Sequence, residues 1–193
     1  MDIFIAPLKF YSALLLQNVV TELSKRFSSR IHVINLKMNM DDFFSIERGQ
    51  YFSTQIIAEA IKLTDEFNGK IILLTDVDLF VPVLTFVFGE AQLNGKHSIL
   101  SVCRLHEEFY SGISNENLLF ERTIKEALHE LGHCYGLRHC IDWDCVMHSS
   151  PGIEEVDIKG NTFCRKCISK VEGYKHLLGM INSMNISSIK DSH

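Results

Sequence analysis

His129, His133 and His139 are followed by Cys140, Cys145, Cys164 and Cys167. Seven metal-ligating side chains at these spacings constrain the fold more than anything else in the chain. His129 and His133 are four apart, which on a helix stacks two imidazoles on one face, one turn apart. Glu130 stays near that face but is offset from it, the position of a base working on a metal-bound water. The apolar spacing of Leu128, Leu131 and Tyr135 is helical. Gly136 then lets the chain leave the helix through φ > 0 and bring His139 back as a third nitrogen ligand. Three protein ligands with one open position describe a catalytic zinc, which lowers the pKa of bound water to about 7.

The cysteines form a second set. Cys140-x4-Cys145 and Cys164-x2-Cys167 are paired thiolate spacings of the structural-zinc type, and soft thiolates favour a closed tetrahedral site. His139 and Cys140 are neighbours, so two metals would share a backbone junction. Cys145 lies two residues before Met147. The cysteine metal is therefore expected to hold His139 and the Met147 segment in place. The bland alternatives are an amphipathic helix with two ordinary histidines, and four reduced core cysteines or a redox C-x-x-C.

The extended pattern H-E-x-x-H-x-x-G-x-x-H, with Met147 eight residues beyond His139, resembles the metzincin clan of zinc peptidases. With Cys140 directly after His139 and three further cysteines, the stretch from His129 to Cys167 resembles the archaemetzincin family. The phrase F-V-F-G-E-A at 86 to 91 is similar to that family too. The resemblance implies two Zn2+ per chain, one catalytic and one structural. It also implies that Met147 forms an apolar floor beneath the catalytic zinc, in a Met-turn, and is not a ligand. The segment 84–92 would be an antiparallel edge strand that pairs with an extended peptide.

The expected function is a zinc-dependent metallopeptidase that hydrolyses peptide bonds by Glu130-assisted attack of zinc-bound water, with Glu130 returning the proton to the leaving nitrogen. No further oxyanion donor is identified. The rivals are a non-peptide amide hydrolase using the same centre, and a two-zinc peptide-binding module with little turnover. Glu130 argues against the second, because a binder needs no proton shuttle.

Composition narrows the partners. The 193 residues are 46% apolar and 22% charged, with a net charge of −5 and no basic stripe. That disfavours nucleic acid. No secretory signal is visible and no apolar run approaches the ~18 residues of a membrane span. The expected setting is cytoplasmic, with a peptide or protein substrate, no nucleic acid, no membrane and a monomeric chain. Cys103 and Cys134 stand apart from the paired spacings, and Cys134 is expected to be a packed thiol. His32, His97, His106, His148, His176 and His193 lack partner spacing and are read as surface or core residues. Asp142 and Asp144 are read as solvating their loop.

Along the chain, strands are expected at 2–6, 30–36 and 71–76, with helices at 12–27 (capped by Ser12) and 53–67. This β-α-β-α-β order favours a parallel sheet. Residues 38–50 are read as irregular. Runs at 84–91 and 98–105 flank Asn94-Gly95, a hairpin turn signal. Residues 106–116 are read as a loop and 117–135 as the active-site helix, with Glu121, Arg122, Lys125 and Glu126 on its solvated side. A last helix is expected from Cys164 to about Ile181, with a frayed tail at 182–193. The fold class is α/β: a mixed, mostly parallel twisted sheet with an antiparallel edge strand, flanked by helices, plus a small zinc-stabilised C-terminal subdomain. The expected division is 1–139, an α/β subdomain with the active-site helix, and 140–193, carrying the Met-turn and cysteine site.

Overall fold

The computed structural model describes residues 1–171. The expected last helix is described only in its first part, Arg165–Lys170; beyond Val171 its remainder, the tail, His176 and His193 lie outside the described residues. In chain order the elements are β1 (Asp2–Pro7), α1 (Ala13–Phe27), β2 (Ile31–Val33), β3 (Phe44–Ser45), β4 (Gln50–Phe52), α2 (Ser53–Leu63), β5 (Gly69–Thr75), β6 (Leu79–Phe80), β7 (Gly89–Ala91), β8 (His97–Ser101), α3 (Glu108–Ser111), α4 (Glu116–Cys134), α5 (Ile153–Ile158) and α6 (Arg165–Lys170). The main sheet has the order β2-β1-β5-β8-β7. All neighbours in it are parallel except the edge pair β7–β8. A smaller sheet, β3-β4-β6, lies beside it.

The continuous apolar run of β5 is explained by helices on both faces. Ile72 and Leu74 point into a core with Leu15, Val19, Leu23 and Phe27 of α1 and Leu128 and Leu131 of α4. Ile71 and Leu73 point the other way, onto Ile56, Ile57 and Ala60 of α2. Alternation along one strand thus feeds two cores, and every position must be apolar. The caps follow the sequence. Ser12 Oγ accepts from Leu15 N at 3.2 Å, opening α1, and Asn115 Oδ1 accepts from Leu118 N at 3.1 Å, opening α4. Among the described residues no helix is long and apolar enough to cross a membrane.

Several boundaries differ from expectation for identifiable reasons. α2 ends at Leu63 rather than 67, because Thr64 Oγ1 donates back to Ala60 O at 2.6 Å. β7 begins only at Gly89. The segment before it is held by side chains instead of a ladder: Arg48 Nη2 donates to the carbonyls of Leu84 and Thr85 at 2.7 and 3.0 Å. Residues 40–43 and 103–105 form 3-10 turns, and α3 interrupts the expected loop at 106–116.

The larger correction concerns α4. Glu121 is exposed, but Arg122 and Glu126 are buried, so this side of the helix is not solvated. α5 covers it. Arg122 makes a two-pronged bond to Asp157 at 2.6 and 2.7 Å, and donates to Glu107 at 2.9 Å and to Leu105 O at 3.0 Å. Lys125 Nζ donates to the terminal carbonyls of α5, Val156 O and Asp157 O, at 2.9 and 2.7 Å. Glu126 pairs with Lys159 at 2.6 Å. These partners lie far along the chain, so helical periodicity could not show that the charges turn inward. Arg122→Met should lower stability by about 2–4 kcal/mol, because it strands two carboxylates that keep only part of their water. Denaturant titration checks this: a midpoint shift with an unchanged m-value is expected.

Candidate metal centre

The site is built on the last turns of α4 and on the loop that follows. α4 ends because Gly136 takes φ +90°, with Gly136 N donating to His133 O at 2.9 Å. That turn delivers Leu137 and His139 back over the helix. His133 Nδ1 lies 2.7 Å from Leu137 O, and His129 Nδ1 lies 2.9 Å from Val146 O. A carbonyl can only accept, so both Nδ1 atoms carry the proton and both Nε2 atoms present lone pairs. Those two Nε2 atoms face each other at 3.1 Å. Burial pulls both imidazoles below their ordinary pKa, which favours their neutral form. Two facing lone pairs repel unless a cation lies between them. In tetrahedral zinc sites, with Zn–N of 2.0–2.1 Å, ligand nitrogens stand roughly 3.3 Å apart. His139 completes the group: its ring centroid is 5.2 Å from that of His129 and 5.1 Å from that of His133. All three ligand nitrogens lie within 4.8 Å of one another. The donor set, the tautomers and the spacing fit one zinc ion with a position left over toward the cleft.

Glu130 is 5% exposed and lines the same cleft as the three histidines. Burial first, and then the neighbouring Glu126, push its carboxyl well above the usual range, with Lys159 opposing. A dication held by the imidazoles would draw it back down. The cleft encloses about 870 Å³ and is bordered by the segment 84–91, by α4 and by residues 149–151. Gly89 sits directly against Glu130: a Cβ there would stand 2.6 Å from Glu130 Oε1 and 2.7 Å from Ile99 O. Only a glycine lets the edge strand close on this carboxylate.

Met147 is fully buried beneath the helix. Gly132 makes the room, since a Cβ at that position would overlap Met147 Sδ and meet Phe163 at 2.9 Å. The four cysteine sulfurs also lie within 4.8 Å of one another. The pairs Cys140–Cys164, at 3.8 Å, and Cys145–Cys167, at 3.7 Å, are far beyond a disulfide bond of about 2.05 Å. Burial pushes the Cys145 thiol up to about 11 and Cys167 higher still, so a clustered thiolate set needs a cation to form. The chemistry of the set fits a closed zinc site. The backbone links it to the histidines: Cys140 N donates to Met147 O at 2.9 Å, and Val146 N to Thr162 O at 2.8 Å. Val146 O is the acceptor that orients His129.

The remaining candidates stay outside the site. His97 is buried against Thr64 and Gln92, His32 pairs with Asp2, and His148 stacks on Trp143. Cys134 is fully buried, and burial lifts its thiol to about 12. Asp142 and Asp144 are exposed. Sequence reasoning missed Lys159 and Glu126 as neighbours of His129, and it missed the carbonyls of Leu137 and Val146. Gly89 was visible within F-V-F-G-E-A but had no role there.

The profile of Peptidase family M54 matches residues 11–173. An archaemetzincin from Methanocaldococcus jannaschii is 41% identical over 129 residues, covering 67% of this chain and 70% of that protein. One from Archaeoglobus fulgidus is 36% identical over 173 residues, covering 89% and 99%. The crystal structure of the Archaeoglobus fulgidus archaemetzincin complexed with malonate superposes with a TM-score of 0.75 at 33% identity, over 88% of this chain and 99% of that one. A zinc-dependent peptidase from Methanocorpusculum labreanum gives 0.77 at 28% identity, with the same coverage. A metalloproteinase from Bacteroides fragilis shares the fold alone, at 10% identity and a TM-score of 0.57. The chain thus belongs to the M54 peptidases, the archaemetzincins, and is a zinc metallopeptidase.

Proposed function

We propose that the chain hydrolyses peptide bonds with Glu130 as the proton shuttle and His129, His133 and His139 as the ligands of the catalytic zinc. The observation that carries this reading is the pair of Nε2 atoms 3.1 Å apart, each on a ring held at Nδ1 by a carbonyl, with a buried carboxylate on the same helix in an open cleft. When bound, the metal supplies Lewis acidity, polarising the scissile carbonyl and acidifying the attacking water. Glu130 takes the proton from that water and hands it to the leaving nitrogen. The buried imidazoles, each fixed through Nδ1, hold their lone pairs in place without reorganising.

The edge strand supports a peptide as substrate. Ser101 N donates to Phe88 O at 2.8 Å and Gln92 N to His97 O at 2.9 Å. By the alternation of an antiparallel ladder, the amides and carbonyls of Gly89 and Ala91 turn away from β8. An extended chain can add to them as a further strand. The amide at Val87 is already used by Leu79 O at 3.0 Å, so the free edge is short. A small amide gains nothing from this ladder, which disfavours the non-peptide hydrolase. A binding module with little turnover would have no use for a carboxylate buried at the cost of its own solvation.

The same reading assigns a second, structural zinc to Cys140, Cys145, Cys164 and Cys167. It treats 140–193 as a part of the chain stabilised by that ion, with Met147 as the floor of the catalytic site. None of the six cysteines is in a disulfide, which supports a reducing, cytoplasmic setting. We take the working unit to be a monomer.

Glu130→Ala should abolish cleavage of a peptide library while leaving the zinc content per chain unchanged; parent-like cleavage would overturn the mechanism. Cys164→Ser should lower zinc content from two ions toward one and weaken the retained ion by about tenfold or more in chelator competition. Full affinity at the histidine site would refute the coupling.

A further inference from the structure

Lys159 is the least expected side chain near the histidines. It is wholly buried. Its backbone is fixed at the end of α5, with Lys159 N donating to Glu155 O at 3.0 Å and Gly160 N to Trp143 O at 2.9 Å. Gly160 admits no Cβ, because Asp144 O already fills that space. The ammonium is therefore delivered to one place. It stands 2.6 Å from Glu126 Oε1 and 3.4 Å from His129 Nδ1. Since Nδ1 donates its proton to Val146 O, it cannot accept from Lys159. The cation's partner is the carboxylate.

Glu126 is the unusual half of this pair. It is 3% exposed and lines the cleft with His129 and Glu130. It lies three residues before His129 and four before Glu130, so all three share a helix face. Despite the short ion pair, Glu126 Oε1 receives no aligned hydrogen bond among the described residues. A buried pair so poorly bonded contributes little stability, and an apolar pair of similar volume would serve the core as well. Carboxylate oxygens are also good zinc ligands at 2.0–2.2 Å. A free carboxylate on this face would be drawn to a dication on the three histidines. Of the nearby cations, Lys125 is spent on the carbonyls of α5 and Arg138 is exposed at the rim.

We infer that Lys159 is a positioning residue: it holds Glu126 behind His129 and so keeps that carboxylate off the coordination position that water and substrate need. A fourth protein ligand would turn an open site into a closed one. The inference rests on the three histidines holding a metal. A parent protein that binds no metal there would end that premise, whereas the inference itself is read from differences between metal-binding variants.

The experiment uses the full chain loaded with zinc, and with cobalt(II) at the histidine site as a spectroscopic probe. Lys159→Met should bind zinc about tenfold tighter at the histidine site in chelator competition, change the cobalt visible spectrum, and lose peptide cleavage. Adding Glu126→Leu to it should restore the parent's zinc affinity and cobalt spectrum and recover most of the cleavage. If Lys159→Met does not fold, Glu126→Gln decides: unchanged zinc affinity agrees with a carboxylate that is kept away, and a tenfold loss means that it helps to hold the ion. Unchanged affinity and spectrum in Lys159→Met, or a double variant that keeps the Lys159→Met spectrum, overturns the inference.

Discussion

Two hydrogen bonds set the chemistry of this protein: Nδ1–H of His133 to Leu137 O and Nδ1–H of His129 to Val146 O. Each fixes a ring and a tautomer at once. Without them an imidazole can rotate, or can turn a proton toward the cavity, and a donor hydrogen is useless to a metal. Both acceptors are main-chain carbonyls, which cannot be mutated away directly. They can only be moved, by changing the path of the backbone. The active site therefore depends on whatever holds residues 137 and 146.

Different devices hold them. Leu137 is placed by local geometry: the positive φ of Gly136 sends the chain back toward the helix end, and Leu137 N donates to Gly132 O at 3.0 Å. Val146 is placed by distant chain. Its N–H is tied to Thr162 O, its neighbour Cys145 lies in the cysteine cluster, and Met147 O receives Cys140 N. The cysteine cluster flanks the peptide unit whose oxygen orients His129. Zinc peptides show apparent binding energies of about 10–16 kcal/mol at structural sites. That is large against the roughly 1 kcal/mol of one hydrogen bond. An ion there can impose the carbonyl's position and is not merely compatible with it.

This division explains what could be read before the structure. The clustering of the three histidines and of the four cysteines was legible because its logic is local: i, i+4 on a helix, a glycine exit, paired thiols. The parallel sheet and its antiparallel edge were legible because strands and helices alternate up to β5, which is apolar throughout, and Asn94-Gly95 marks a hairpin. Asn94 does take φ +56°. The charged face of α4 was not legible. Arg122, Lys125 and Glu126 have the spacing of a solvated stripe, and only α5 and Lys159, folded back from thirty or so residues later, make it an interior. Periodicity reports which residues share a face. It is silent on what covers that face.

The cleft's upper wall carries the same lesson into function. A strand that must accept a peptide has to expose backbone groups, yet an exposed edge invites unwanted pairing. Here, among the described residues, the edge is open across Gly89 to Ala91. Beyond it, Val87 is closed by Leu79, and the carbonyls of Leu84 and Thr85 are taken by Arg48, with Gln50 Nε2 adding a bond to Thr85 O at 3.0 Å. The small sheet β3-β4-β6 thus acts as a stop on the large one. It limits the free ladder to the stretch beside Glu130, where a glycine has already been required so that the wall and the carboxylate can touch. The open edge and the Glu130 carboxylate are confined to the same few ångströms by the same strand.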